Sequence, residues 1–233
     1  MRQRRHARDR APRWTALAGR VLVLMALAPL PADDVARAQA TAGPASEMPA
    51  DAFQAGPGLW IAPAEGRVFD AEGETVAAIG ADWTHEKLDA ITLKYALLGA
   101  LGNRVDGRVG ASVAGGDRRR LDGEIVEVTF RAARRGDALL LGLDAAGRLW
   151  RIRPPEPIAP GEIRSISLKV SPIFGEDHLL FVVGHAIDAL SDAAAARQGE
   201  PIDATTVVEL LSTLGDGSLV TLAIRTAAGP GSE

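Results

Sequence analysis

From Gly123 onward apolar and polar residues alternate with a period of two. Val126, Val128 and Phe130 fall on one side of the chain, while Glu127, Thr129 and Arg131 fall on the other. That rhythm is what a half-buried β-strand requires, because successive side chains point to opposite faces of a sheet. Leu139-Leu140-Leu141 and Trp150-Arg151-Ile152-Arg153 flank Asp144-Ala145-Ala146-Gly147, whose glycine can adopt the positive φ that closes a tight hairpin. Pro154, Pro155, Pro157 and Pro160 then predict a break in regular pairing. Ile166, Leu168 and Val170 resume the alternation, and Leu179 to Val183 is apolar on both faces, which predicts a central strand.

Helical spacing shows in two places. Leu88, Ile91, Tyr95 and Leu98 recur every three or four residues behind Thr84, which can cap a helix ended by Gly102-Asn103. Leu93, Leu97 and Leu101 widen its stripe, as expected for a helix packed on a sheet or touching a second partner. Asp203 can cap a shorter helix carrying Val207, Leu210, Leu211 and Leu214 and stopped by Gly215, set across an edge of the sheets. Val220, Leu222 and Ile224 form a last strand. The pattern predicts a mainly β chain with a few helices: an antiparallel β-sandwich in the C-terminal half and a helix-containing N-terminal portion.

Ahead of the sandwich, Arg67-Val68-Phe69 and Thr75 to Ile79 read as a hairpin around Asp70-Ala71-Glu72-Gly73. Residues 103–123, rich in Gly and Arg, read as a linker or mobile loop, and 41–58, rich in Ala, Pro and Gly, as a flexible leader. The expected organisation is a signal peptide at 1–40, the leader, a small helix-containing region at 59–122, the sandwich at 123–226 and a disordered tail at 227–233.

The N-terminus supplies the compartment. An arginine-rich start precedes an apolar run from Val21 to Leu30, followed by Ala36-Arg37-Ala38 and Ala38-Gln39-Ala40, the arrangement of a secretory signal with its cleavage sites. Ten apolar residues are too few to span a bilayer, so a periplasmic or secreted product without membrane insertion is expected. Residues 1–40 carry eight Arg and three acids; without them 18 basic and 27 acidic residues remain, a net charge of −9. Such a balance disfavours nucleic acid, whose affinity comes from Lys and Arg neutralising phosphates. The run Arg118-Arg119-Arg120 reads as a solvated loop, or else a docking patch for an acidic partner.

The segment from Gly123 to Thr226 resembles a bacterial domain family of unknown function that sits C-terminal to caspase-like peptidase or protein kinase domains in exported proteins. The resemblance rests on Gly123-Glu124-Ile125-Val126-Glu127-Val128, on the hairpin from Gly136 through Leu149, on Ile158-Ala159-Pro160-Gly161-Glu162, on Ser171-Pro172-Ile173-Phe174-Gly175-Glu176-Asp177 and on the closing strand ending Arg225-Thr226. It implies a β-sandwich accessory module with no catalytic residues and a protein or envelope-polymer partner. Unlike that arrangement, residues 1–122 are not expected to hold a caspase or kinase domain.

Candidate chemistry is sparse. The sequence contains no Cys, which excludes a thiolate nucleophile, and no phosphate-cradling glycine loop. Asp177, His178, His185 and Asp188 are the one cluster of acids and imidazoles, suited in type to a divalent metal or to an envelope hydrolase. A separation of seven places the two histidines on opposite faces of one strand unless the chain bends at Gly184. The expectation is therefore a non-enzymatic module without catalytic, cofactor or metal residues, and the four-residue site is its alternative.

Overall fold

The computed structural model describes residues 49, 51–56, 58–80, 84–102, 105–185, 187–215 and 217–229; the signal peptide expected at 1–40 lies outside them. The chain is mainly β. Its first strands, β1 (Phe53–Gly56), β2 (Leu59–Ala62), β3 (Arg67–Phe69) and β4 (Thr75–Ala78), form a four-stranded antiparallel sheet in chain order. The β3–β4 hairpin turns where expected, because Asp70 Oδ1 accepts the amides of Glu72 at 3.1 Å and Glu74 at 2.8 Å. β1 corrects the reading of 41–58 as a leader: Phe53 pairs with Ile61 and Gln54 with Trp60. An edge strand takes its hydrogen bonds from its neighbour, so a short segment without periodicity can pair.

Helix α1 (His85–Gly102) begins where Thr84 Oγ1 accepts the amide of Lys87 at 3.3 Å. Its wide stripe has two partners. Ile91, with Leu88 and Tyr95 beside it, packs under the meander against Ile61 and Val68, while Leu97 and Leu101 join the core of the following domain.

That domain is a sandwich. Its smaller sheet contains β5 (Val109–Val113), β7 (Ile125–Ala132) and β10 (Ile163–Lys169), in the order β10-β7-β5. The larger sheet contains β6 (Arg120–Leu121), β8 (Gly136–Leu143), β9 (Leu149–Ile158), β11 (Glu176–Gly184) and β12 (Ser218–Ala227), in the order β6-β12-β11-β8-β9. All pairs are antiparallel except β6–β12. Leu140, Leu179, Phe181 and Val183 face the small sheet, where Phe181 stacks on Phe130 with centroids 4.8 Å apart. Leu139, Leu141, Leu180 and Val182 face the other way, into a layer made by α1, α2 (Asp188–Ala196) and α3 (Ala204–Thr213). Both faces of β8 and β11 are covered, which is why 138–143 and 179–183 are apolar on both faces.

Several expectations change here. The sandwich draws strands from both sides of Gly123, since β5 and β6 lie in the segment read as a loop. Prolines do not interrupt β9: Pro157 pairs with Asp137 across an edge strand whose outer N–H groups need no partner, with two register shifts absorbing the strain. α3 is capped as expected, Asp203 Oδ1 accepting the amide of Thr206 at 2.6 Å, but it lies on the sheet's face rather than across an edge. β12 extends to Ala227, which pairs with Leu121, so the expected tail starts one residue inside a strand; residues 230–233 lie outside the described residues.

Candidate functional site

The four residues singled out as a metal or hydrolase site do not assemble. Asp177 and His178 open β11, whereas His185 follows its last residue and is exposed, and Asp188 is exposed in the first turn of α2. Seven residues of extended chain separate the histidines by about 23 Å. Among the described residues no group of three or more His, Cys, Asp or Glu is placed to hold a metal ion.

Asp177 and His178 belong instead to a buried polar cluster built around a lysine. Lys94 has no exposed surface. Its ammonium donates to the main-chain carbonyl of Asp144 at 3.0 Å and to that of Glu176 in a shorter contact. Burial pushes the Lys94 ammonium below its ordinary pKa, against the opposing pull of Asp177, Glu176 and Asp144. The Asp177 carboxyl is pushed up, again chiefly by burial, and its Oδ1 accepts the Ala145 amide at 2.8 Å.

Tyr95, the next residue of α1, donates its hydroxyl to Glu176 Oε2 at 2.8 Å. The other Glu176 oxygen accepts Arg225 Nε at 3.3 Å, and the same guanidinium lies 3.8 Å from Asp70 Oδ2 in the meander. His178 packs edge-on to Tyr95, with centroids 5.9 Å apart, and its Nε2 is 3.7 Å from Glu176 Oε2. Its Nδ1 is buried without a hydrogen-bond partner. Burial, with a smaller push from the Lys94 charge, lowers the His178 pKa to about 3, so the ring is neutral at physiological pH.

Local chemistry places each part. Asp144 folds the β8–β9 turn by accepting the amides of Ala146 at 3.0 Å and Arg148 at 2.9 Å. Gly147 completes it at φ +76°, so close to α1 that a Cβ there would meet the Ala90 carbonyl oxygen at 2.6 Å. That approach brings the Asp144 carbonyl to Lys94. Sequence reading missed Lys94 and Tyr95, although one signal was present: Lys94 stands three residues from both Ile91 and Leu97, on the helix's buried stripe.

The basic run also changes meaning. Arg120 is 3% exposed and donates to the carbonyls of Ala114 at 2.6 Å and Gly116 at 2.7 Å. Arg118 pairs with Glu124, and Arg119 with Glu74 at 2.8 Å. Arg118 and Arg119 are exposed, as expected of a solvated loop, whereas Arg120 departs from that reading and is the internal tie of its loop.

Chemically, the cluster is a brace. Lys94 does not border the cavity of about 410 Å³ beside the cluster, whereas Asp144, Asp177 and His178 do. No protein-family model matches the chain, and no curated protein matches it.

Proposed function

We propose that the chain is a non-catalytic accessory module of the bacterial cell envelope, periplasmic or secreted, that acts by binding a protein or an envelope polymer. The observation that carries this reading is the internal commitment of the ionisable groups. Lys94, Tyr95, Glu176 and Arg225 spend their hydrogen bonds on one another and on the main chain, tying the meander, α1 and the sandwich together. Reactive groups must face substrate to act; Asp177 and His178 border a cavity, but His185 follows the far end of β11 and is exposed. The signal-like N-terminus, the acidic balance of the remaining chain and the resemblance of Gly123–Thr226 to exported accessory domains support the reading. No helix among the described residues is long and apolar enough to cross a membrane.

The outer face of the smaller sheet offers a surface for such contact. Ile125 is 58% exposed beside Lys169, and Ile163 is 62% exposed beside Arg131. A photocrosslinking side chain placed at either isoleucine in living cells, followed by fractionation, tests the reading. A discrete envelope adduct from one of these positions is expected. Hydrolysis of an ester, peptide or glycan that disappears in Asp177→Asn, with the fold retained, would overturn it.

A further inference from the structure

The gap between the two sheets carries charge of one sign. It encloses about 410 Å³ beside the buried cluster, and Val126, Ile152, Leu168 and Leu179 form its apolar walls. Two cationic residues border it without facing it. Arg151 pairs with Leu141, which belongs to the helix-layer core, and its guanidinium donates to the Ser191 hydroxyl of α2 at 3.2 Å. Lys169 pairs with Ile125 on the outer face of the smaller sheet. Asp177 does face the gap: it pairs with Ile224, a member of the inter-sheet core, and directly opposed residues share a face. The ionisable groups left to the gap are Asp144, Asp177 and His178, and the His178 ring is neutral because burial lowers its pKa to about 3.

The two carboxyl groups are not equally committed. Asp144 accepts the amides of Ala146 and Arg148 on one oxygen and the Trp150 indole N–H at 3.1 Å on the other. Asp177 accepts the Ala145 amide through Oδ1, and its Oδ2 has no hydrogen-bond partner among the described residues. Positive charge is also short. Arg225 is shared by Glu176 and Asp70, which leaves Lys94 as the cation for Asp144 and Asp177 together. Lys94 moreover donates to main-chain carbonyls rather than to either carboxylate. One negative charge therefore remains uncompensated beside the gap, and burial pushes the Asp177 carboxyl up, as it does any carboxylate without a full counter-charge.

We propose that this gap binds a small aliphatic amine, its ammonium donating to Asp177 Oδ2 and its hydrocarbon body lying between the sheets. A mostly apolar cavity of this volume with a few placed polar groups is the form of a small-molecule site. An ammonium supplies the missing positive charge and the missing donor at once. A carboxylate ligand would instead meet two like charges, and an alcohol of the same shape can hydrogen-bond there but lacks the charge that makes such a bond roughly twice as strong. The inference is independent of whether the module also has a macromolecular partner.

Calorimetric titration with hexylamine near neutral pH, where the amine is an ammonium, tests the site, with hexanol and hexanoate as comparisons that share its tail. Hexylammonium is expected to bind one-to-one and most tightly. Asp177→Asn keeps an oxygen for the Ala145 amide and should weaken hexylammonium about tenfold, the size of one hydrogen bond to a charged group, while leaving hexanol nearly unchanged. Leu168→Trp, which fills the apolar part of the gap, should abolish binding of the amine while the circular dichroism stays unchanged, and it remains informative if the asparagine variant fails to fold. Absence of hexylammonium binding, tighter binding of hexanol or hexanoate, or an amine affinity unaffected by Asp177→Asn or by Leu168→Trp in a folded protein would each overturn the proposal.

Discussion

Lys94 Nζ donates to the carbonyl of Asp144 at 3.0 Å, across fifty positions of sequence, and the lysine has no exposed surface. Lys94→Met keeps the length of the side chain but strands two main-chain carbonyls and leaves Asp177 and Glu176 buried without their ammonium. Breaking one side of such a group costs about 3–5 kcal/mol, and urea unfolding should show a loss of that size. Adding Asp177→Asn should recover part of it, since the amide oxygen can still accept from Ala145. Additive losses in the double variant would mean that the two groups are not coupled.

Acid should destabilise the protein partly through His178. Its folded pKa is lowered to about 3 from an ordinary 6.5, so below pH 6.5 the unfolded chain takes up a proton that the folded chain refuses. Stability from this group is fully present above 6.5 and falls toward pH 3, by up to about 1.4 kcal/mol per unit. His178→Phe keeps a ring against Tyr95 and removes that dependence. Urea midpoints of the two proteins should diverge as pH drops through this window, the variant holding up better; parallel curves would disprove the assignment.

Within the basic run the three arginines should behave differently. Arg120→Ala removes a buried donor from the Ala114 and Gly116 carbonyls and should cost about 2–3 kcal/mol, with faster proteolysis of the 114–120 loop. Arg119 pairs with Glu74 where both side chains are 49% exposed, and Arg119→Ala should stay within about 0.5 kcal/mol of the parent. Equal effects at the two positions would contradict the structure.

Two turn glycines offer a matched comparison. Gly73 and Gly147 both have positive φ, but a Cβ at Gly73 meets nothing within 4 Å, whereas one at Gly147 meets the Ala90 carbonyl oxygen at 2.6 Å. Gly73→Ala should cost only backbone strain, about 1 kcal/mol. Gly147→Ala should cost clearly more and should also weaken the docking of α1, visible as faster amide exchange in that helix.

Much of the local structure could be read from residues alone. Period-two alternation located β7 and β10, the doubly apolar run located β11, and Asp70, Asp144 and Asp203 announced turns and a cap through hydrogen bonds that reach only two to four residues. β1, β5, β6 and α2 were not legible. Their segments are short, rich in glycine or alanine, and weakly patterned, and they become strands or helix because a neighbour supplies hydrogen bonds or a surface to cover. The buried cluster was hidden for a related reason: Glu176 and Lys94 are ordinary charged residues until a separation of eighty-two positions is closed.

The sequence by itself determined the β-rich class, the hairpin turns, the helix caps and the absence of cysteine chemistry, because each depends on side-chain type and near neighbours. Tertiary structure alone decided that Arg120 turns inward and that a lysine becomes the centre of the brace. Those outcomes depend on which distant surfaces meet and exclude water, and burial of that kind has no local signature.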